Sequence, residues 1–205
     1  SRLAQEYDGF LAGAPGFNLP KAAVSQIWGA QQYARIATPG ATTTSPFGGT
    51  IPDLATGFTR AERSLVASRL LARCDALDGL ADGIVADTAR CQQTFSLAND
   101  VPTCSGARDG SCLTADQKSV IASIFAGATT STGAAIYSSF PLDPGLAGND
   151  WAGWEFTISQ ALDPLAAGVI FGVPPGFIAN PLTVSIDSLN AGITATNATY
   201  TESAM

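Results

Sequence analysis

The chain has 205 residues and a formal net charge of -7, contains no histidine, and draws only 13% of its residues from Asp, Glu, Lys and Arg, about half the ~25% usual in soluble domains. Lys118 is the last cation, so residues 119–205 hold six carboxylates and no Lys or Arg; that asymmetry argues against a nucleic-acid partner, whose affinity rests on Lys and Arg displacing counterions. Membrane insertion is equally unsupported, because the longest apolar candidate, residues 165–179, is broken by Pro174 and Pro175 and falls short of the ~18 residues a span requires.

In chain order, residues 8–15 (DGFLAGAP) are an apolar run of the length of a buried strand, closed by Gly13 and Pro15. Nothing before them reads as a signal peptide, so any secretory leader is expected to have been removed already. Residues 21–37 then place Ala23, Ile27, Ala30 and Ala34 at helical spacing, and Pro39 and Gly40 stop the helix. A Gly/Thr/Pro-rich loop is predicted over 38–57. Thr59 opens the clearest helix: its hydroxyl can cap the Glu62 amide while the Glu62 carboxylate returns to the Thr59 amide. Leu65, Val66, Leu70 and Leu71 supply the apolar stripe of that helix. Thr114 and Gln117 repeat the capping box ahead of Val120, Ile121, Ile124 and Phe125, and Gly127 ends the second helix. Beyond it the sequence predicts a short strand over 134–140, an aromatic cluster of Trp151, Trp154 and Phe156, a helix over 163–171, and a Thr/Asn-rich tail carrying the glycosylation sequon 197–199.

Four cysteines, Cys74, Cys91, Cys104 and Cys112, lie between the two capped helices. An even count in a short, weakly charged chain favours two disulfides and an oxidising compartment, secreted or periplasmic. Three pairings are possible; Cys74 with Cys91 and Cys104 with Cys112 are favoured, because both close short local loops. Zinc is disfavoured, since no pair has C-x-x-C spacing and no histidine completes a mixed site.

The most chemical stretch is 74–84 (CDALDGLADGI), where Asp75, Asp78 and Asp82 fall within eight residues and Gly79 and Gly83 follow the last two. Three like charges on one loop repel each other, and calcium relieves this by accepting six to eight oxygens at flexible angles. The pattern is not an EF-hand, because no glutamate stands at position twelve. A solvated acidic helix end is the plainer alternative, and the two glycines argue against a helix continuing there. Acid/base chemistry by these carboxylates is a lesser possibility. No Ser-His-Asp or Cys-His arrangement can be assembled from these residues without a histidine, and no G-x-S-x-G elbow is present.

At this point the residues resemble a known family, the tannase and feruloyl esterase family of α/β-hydrolases. Residues 7–15 (YDGFLAGAP) are similar to its strand and turn after the nucleophile helix, and 16–22 (GFNLPKA) to its terephthalate-ester branch. Residues 74–84 resemble its calcium loop, Cys112-Leu113-Thr114 with Gln117 its following helix start, and Trp151 with Trp154 its W-x-x-W element. The resemblance implies calcium held by the side chains of Asp75, Asp78 and Asp82 and the carbonyls of Leu80 and Ile84, and lid disulfides on the same two cysteine pairs. It also implies an α+β, mainly helical, loop-rich lid stapled by disulfides and calcium: residues 1–20 as a remnant of the hydrolase core, 21–182 as the lid, and 183–205 as a return segment toward the core.

Under that resemblance the family's catalytic Ser, Asp and His fall outside this sequence, so the chain alone is expected to be inactive and to depend on the missing α/β-hydrolase core. The implied substrate is an aryl ester of feruloyl, galloyl or terephthalate-monoester type, its ring facing Trp151, Trp154 and Phe156. With no cation after Lys118 to clamp a carboxylate, a neutral aryl ester suits the lid better. The alternative is a non-catalytic secreted module that binds aromatic ligands in the presence of calcium.

Overall fold

The computed structural model describes Asp8 and residues 16–194. Apart from Asp8, the strand expected over 8–15 lies outside the described residues, as does the sequon at 197–199. Helices dominate, and the described residues contain a single two-stranded sheet.

The first helix, α1 (Leu19–Ala34), begins two residues ahead of the predicted start, with Pro20 in its first turn, where a missing amide costs nothing. Its apolar face buries Ala23, Val24, Ile27, Ala30 and Tyr33. The segment read as a loop contains a hairpin, β1 (Thr42–Thr44) with β2 (Thr50–Pro52), paired antiparallel with Thr43 opposite Ile51. β-Branched Thr and Ile fit the pleat, while Gly48 and Gly49, at φ 87° and 79°, make the turn. The loop expectation failed because three threonines read as polar linker rather than as strand. A short 3-10 turn, Leu54–Gly57, follows and buries Leu54.

Both capping boxes form. In α2 (Arg60–Cys74) the Thr59 amide donates to Glu62 at 2.8 Å and the Glu62 amide to the Thr59 hydroxyl at 3.4 Å. Val66 and Leu70 are fully buried, with Leu65 packed beside them. The short helices α3 (Thr88–Thr94) and α4 (Leu97–Asp100) connect to α5 (Ala115–Ala126), whose Thr114 and Gln117 cap each other reciprocally. The Gln117 amide then donates to the Gly57 carbonyl at 2.8 Å, fixing the end of the 3-10 turn to the start of α5. Gly127 ends α5 at φ 99°, and a Cβ there would come 3.0 Å from the Ser138 carbonyl oxygen, so the chain can double back only over a glycine.

No strand forms over 134–140. Ile136 donates to the Ala128 carbonyl and Phe140 to the Phe125 carbonyl, and the only bridge in this region is the isolated Thr129–Ala135 pair; without a neighbouring strand no ladder forms. Helix extends further than predicted, through α6 (Asn149–Gly153), a π turn at Trp154–Ile158, α7 (Ser159–Leu165) and a second π turn at Ala166–Ile170. Pro164 sits inside α7 and hid that continuity in the sequence, since proline ordinarily breaks a helix. The expected tail instead contributes α8 (Ile186–Thr194).

Two apolar clusters form. One gathers α2, α5 and the aromatic residues Phe58, Phe156 and Tyr33; the other lies between α1, Ala167, Phe171 and Ile193 of α8. Disulfides Cys74–Cys91 and Cys104–Cys112 form as the loop lengths favoured. No helix among the described residues is long and apolar enough to cross a membrane.

Candidate functional site

Two places gather the residues the sequence singled out. The first is the acidic loop. Asp75 and Asp78 bound a 3-10 turn that continues α2, and Gly79 and Gly83, at φ 98° and 84°, fold the chain back. The Asp75 Oδ1 accepts the amides of Asp82 and Gly83 at 3.1 and 3.0 Å, seven and eight residues on, which draws the two halves of the loop together. Asp78 accepts from Leu80 and Ala86, and Asp82 from Ile84. The donors are all oxygen on an exposed, glycine-hinged loop, a chemistry suited to a hard cation. They are not preassembled as a cage: among the described residues no three His, Cys, Asp or Glu side chains are grouped to hold a metal. Arg90 closes the loop's base by donating to the Leu77 carbonyl at 3.1 Å, and Cys74–Cys91 ties the same base to α3.

The second place is a cleft of about 470 Å³ walled by Ile124, Phe125, Phe140, Leu146, Trp151 and Trp154, with Gln26, Asp143 and Glu155 as its polar side chains. The three aromatic residues named from sequence part company here. Trp154 is 53% exposed and offers its ring to the cleft. Trp151 lines it from within, stacked against Phe125 at 6.4 Å between centroids and 8° between planes. Phe156 does not line the cleft: it is buried edge-on against Tyr33 at 4.9 Å and Trp151 at 5.7 Å, and props the wall from behind.

Charge behind the wall is unusual. The buried guanidinium of Arg63, from α2, lies 5.6 Å from the Phe156 ring centre and 5.9 Å from that of Trp151. Its Nε and one terminal nitrogen find no hydrogen-bond partner among the described residues, and burial lowers its pKa. Burial, then the neighbouring Asp163, pushes the Glu155 carboxyl up to about 7; burial alone does the same to Asp163. The Tyr33 hydroxyl is raised by burial and by Glu155, with Arg63 opposing.

The profile of the family described as Tannase and feruloyl esterase matches residues 1–172. The chain belongs to that family. Mono(2-hydroxyethyl) terephthalate hydrolase of Piscinibacter sakaiensis is 35% identical over 167 residues, 75% of this chain and 27% of the relative. The probable feruloyl esterase B-1 of Neosartorya fischeri is 31% identical over 124 residues, 60% of this chain and 20% of the relative. In fold, the chain resembles the crystal structure of feruloyl esterase B from Aspergillus oryzae, with a TM-score of 0.62 at 22% identity, over 94% of this chain and 34% of that one. The chain therefore spans between a fifth and about a quarter of the length of these curated relatives.

Within this tannase-family chain, sequence reasoning missed Gln26, Phe125, Phe140 and Glu155 as cleft residues. Phe125 belongs to the apolar stripe of the second capped helix, and Gln26 lies more than a hundred residues from Trp154, so only tertiary packing joins them. Glu155 carried a signal that could have been used: it is an acid set between Trp154 and Phe156.

Proposed function

We propose that this chain is the substrate-shaping lid of a secreted or periplasmic serine carboxylic ester hydrolase acting on aryl esters of feruloyl, galloyl or terephthalate-monoester type. With no histidine among its 205 residues, the Ser-His-Asp chemistry would come from a hydrolase core outside them. The cleft carries this assignment: an open slot with an exposed indole, a stacked indole–phenyl pair behind it and few polar groups suits one face of an aryl ring. Membership of an esterase family and relatives named for feruloyl and terephthalate esters support it.

In the same proposal the 75–84 loop takes a structural calcium ion through Asp75, Asp78 and Asp82 and through the carbonyls of Leu80 and Ile84. Neither carbonyl accepts a hydrogen bond among the described residues, and the positive backbone angles of Gly79 and Gly83 let the loop curl around an ion. When bound, the ion would neutralise the crowded carboxylates and stiffen the end of α2. The residues themselves brace the loop through the Asp75 hydrogen bonds and the Cys74–Cys91 bridge.

A chimaera tests the lid role. Replacing the matching segment of the Aspergillus oryzae feruloyl esterase with this chain should give an enzyme that hydrolyses methyl 4-hydroxycinnamate. In that chimaera Trp154→Ala should raise KM with little change in kcat, the pattern of lost uniform binding. A folded chimaera without hydrolysis, or one indifferent to Trp154, would refute the proposal.

A further inference from the structure

The polar groups of the cleft define a substrate class more narrowly, a step that rests on reading the cleft as the aryl-ester site. Of its three polar side chains, Asp143 is already engaged, accepting the Gly145 amide at 2.7 Å. The Glu155 carboxyl accepts no hydrogen bond among the described residues, and neither does the Gln26 amide. Both line the cleft and also the smaller pocket adjoining it. Glu155 leans over Gly29 of α1, where an added Cβ would lie 3.9 Å from its Oε2; Gln26 lies one turn earlier on the same helix and therefore on the same face. An unpaired carboxyl and an unpaired amide thus line the slot together, with Asp143 its only other charged or amide side chain.

No Lys or Arg lines this slot. The titratable groups that interact with Glu155 from the packed elements are Tyr33 on α1 and Asp163 on α7. Arg63 stays behind the rings of Trp151 and Phe156. A carboxylate in apolar surroundings gains from a hydrogen-bond donor and repels an anion. We propose that Glu155, assisted by Gln26, determines specificity in this cleft. It receives the phenolic O–H of a 4-hydroxyaryl ester whose ring lies on Trp154, and it rejects aryl esters that carry a carboxylate.

Calorimetric titration of the whole chain at about pH 8, above the Glu155 pKa of about 7, tests this with two ligand pairs. Methyl 4-hydroxycinnamate differs from methyl cinnamate only in the hydroxyl, and dimethyl from monomethyl terephthalate chiefly in one charge. The wild type should bind the phenol roughly tenfold tighter than methyl cinnamate, the scale of one hydrogen bond to a charged group, and the diester tighter than the monoester. Glu155→Leu should erase the first preference, bringing methyl 4-hydroxycinnamate and methyl cinnamate to equal affinity. Glu155→Gln, which keeps an acceptor and loses the charge, should retain the first preference and erase the second. Trp154→Ala should weaken all four. Preferences unchanged in both Glu155 variants, with binding still dependent on Trp154, would overturn the role of Glu155 and leave the cleft reading standing. Binding that is absent from the wild type or indifferent to Trp154 would overturn both.

Discussion

Replacing Glu62 by Gln asks whether the start of α2 is an electrostatic junction or merely a capped helix end. The Glu62 side chain is 1% exposed and accepts the Thr59 amide at 2.8 Å, the Thr59 hydroxyl at 2.9 Å and an Arg108 terminal nitrogen at 2.6 Å, with Arg108 Nε completing a bidentate pair. Arg108 also donates to the Thr56 carbonyl, so one carboxylate joins the 3-10 turn, α2 and the loop closed by Cys104–Cys112. Breaking a buried ion pair costs roughly 3–5 kcal/mol. Arg108 keeps 28% of its side chain exposed and can rehydrate, so Glu62→Gln should cost roughly 2–3 kcal/mol. On the scale for 150–250 residues that lowers Tm by roughly 5–10 °C. Burial alone would raise the Glu62 carboxyl, but hydrogen bonds from Arg108, Gln117 and Thr59 outweigh it and hold it below its ordinary value. Its contribution is therefore complete above the unfolded pKa of about 4.3 and is lost as pH falls through the folded value. Urea melts across that acid range should converge for wild type and Glu62→Gln. A neutral-pH cost below about 0.5 kcal/mol, the ordinary range for surface substitutions, or a gap that widens as pH falls, would refute the junction.

Three further outcomes follow from the structure. Removing Cys74–Cys91, which closes 17 residues, should cost roughly 3 kcal/mol in the chain-entropy model and more than removing Cys104–Cys112, which closes 8; equal midpoints in denaturant would contradict this. Glu155 and Asp163 have folded pKa values raised to about 7, so the unfolded chain binds fewer protons and stability should fall as pH rises from about 4 to 7. The Glu155→Gln/Asp163→Asn double variant should flatten that slope, a comparison made by thermal melts across the same range. Chelation should lower Tm if calcium occupies the 75–84 loop, by about 2.7 kcal/mol of stability lost from a site held at a hundredfold its Kd. Asp78→Asn should reduce the response, and a chelator-insensitive Tm in the wild type would sink the assignment.

What was legible in the sequence was whatever chemistry is local. Thr59 with Glu62 and Thr114 with Gln117 are three-residue instructions, and each formed because both partners of the box are present. Each cysteine pair closes a short local loop. Signals of sign or composition misled instead: threonines at 42–44 read as linker, Pro164 read as a stop, and the apolar residues of 134–140 read as a strand although no partner strand exists among the described residues. The cleft was half legible for the same reason, since Trp151 and Trp154 are neighbours while Gln26 and Phe125 reach them only through packing. Phe156 illustrates the limit, because the helical turn that presents Trp154 outward turns Phe156 inward onto Tyr33.

Charge followed the same divide between what a list of residues states and what folding does with it. No Lys or Arg follows Lys118, and none lines the cleft. Yet Lys118 itself does not serve as a surface charge. Its ammonium donates to the Ala98 carbonyl at 2.9 Å and the Thr103 hydroxyl at 2.8 Å, and also to the Val101 carbonyl, pinning α4 to α5 with no carboxylate involved. Burial lowers its pKa, the direction expected when neutral acceptors replace water. Arg63, early in the sequence, meanwhile supplies a cation behind the very aromatic wall that the count left bare. Its field reaches Tyr33, whereas the cleft side of that wall carries the unpaired carboxyl of Glu155. The wall is therefore polarised, cationic behind and acidic in front, and a ligand entering from the cleft meets only the acidic side.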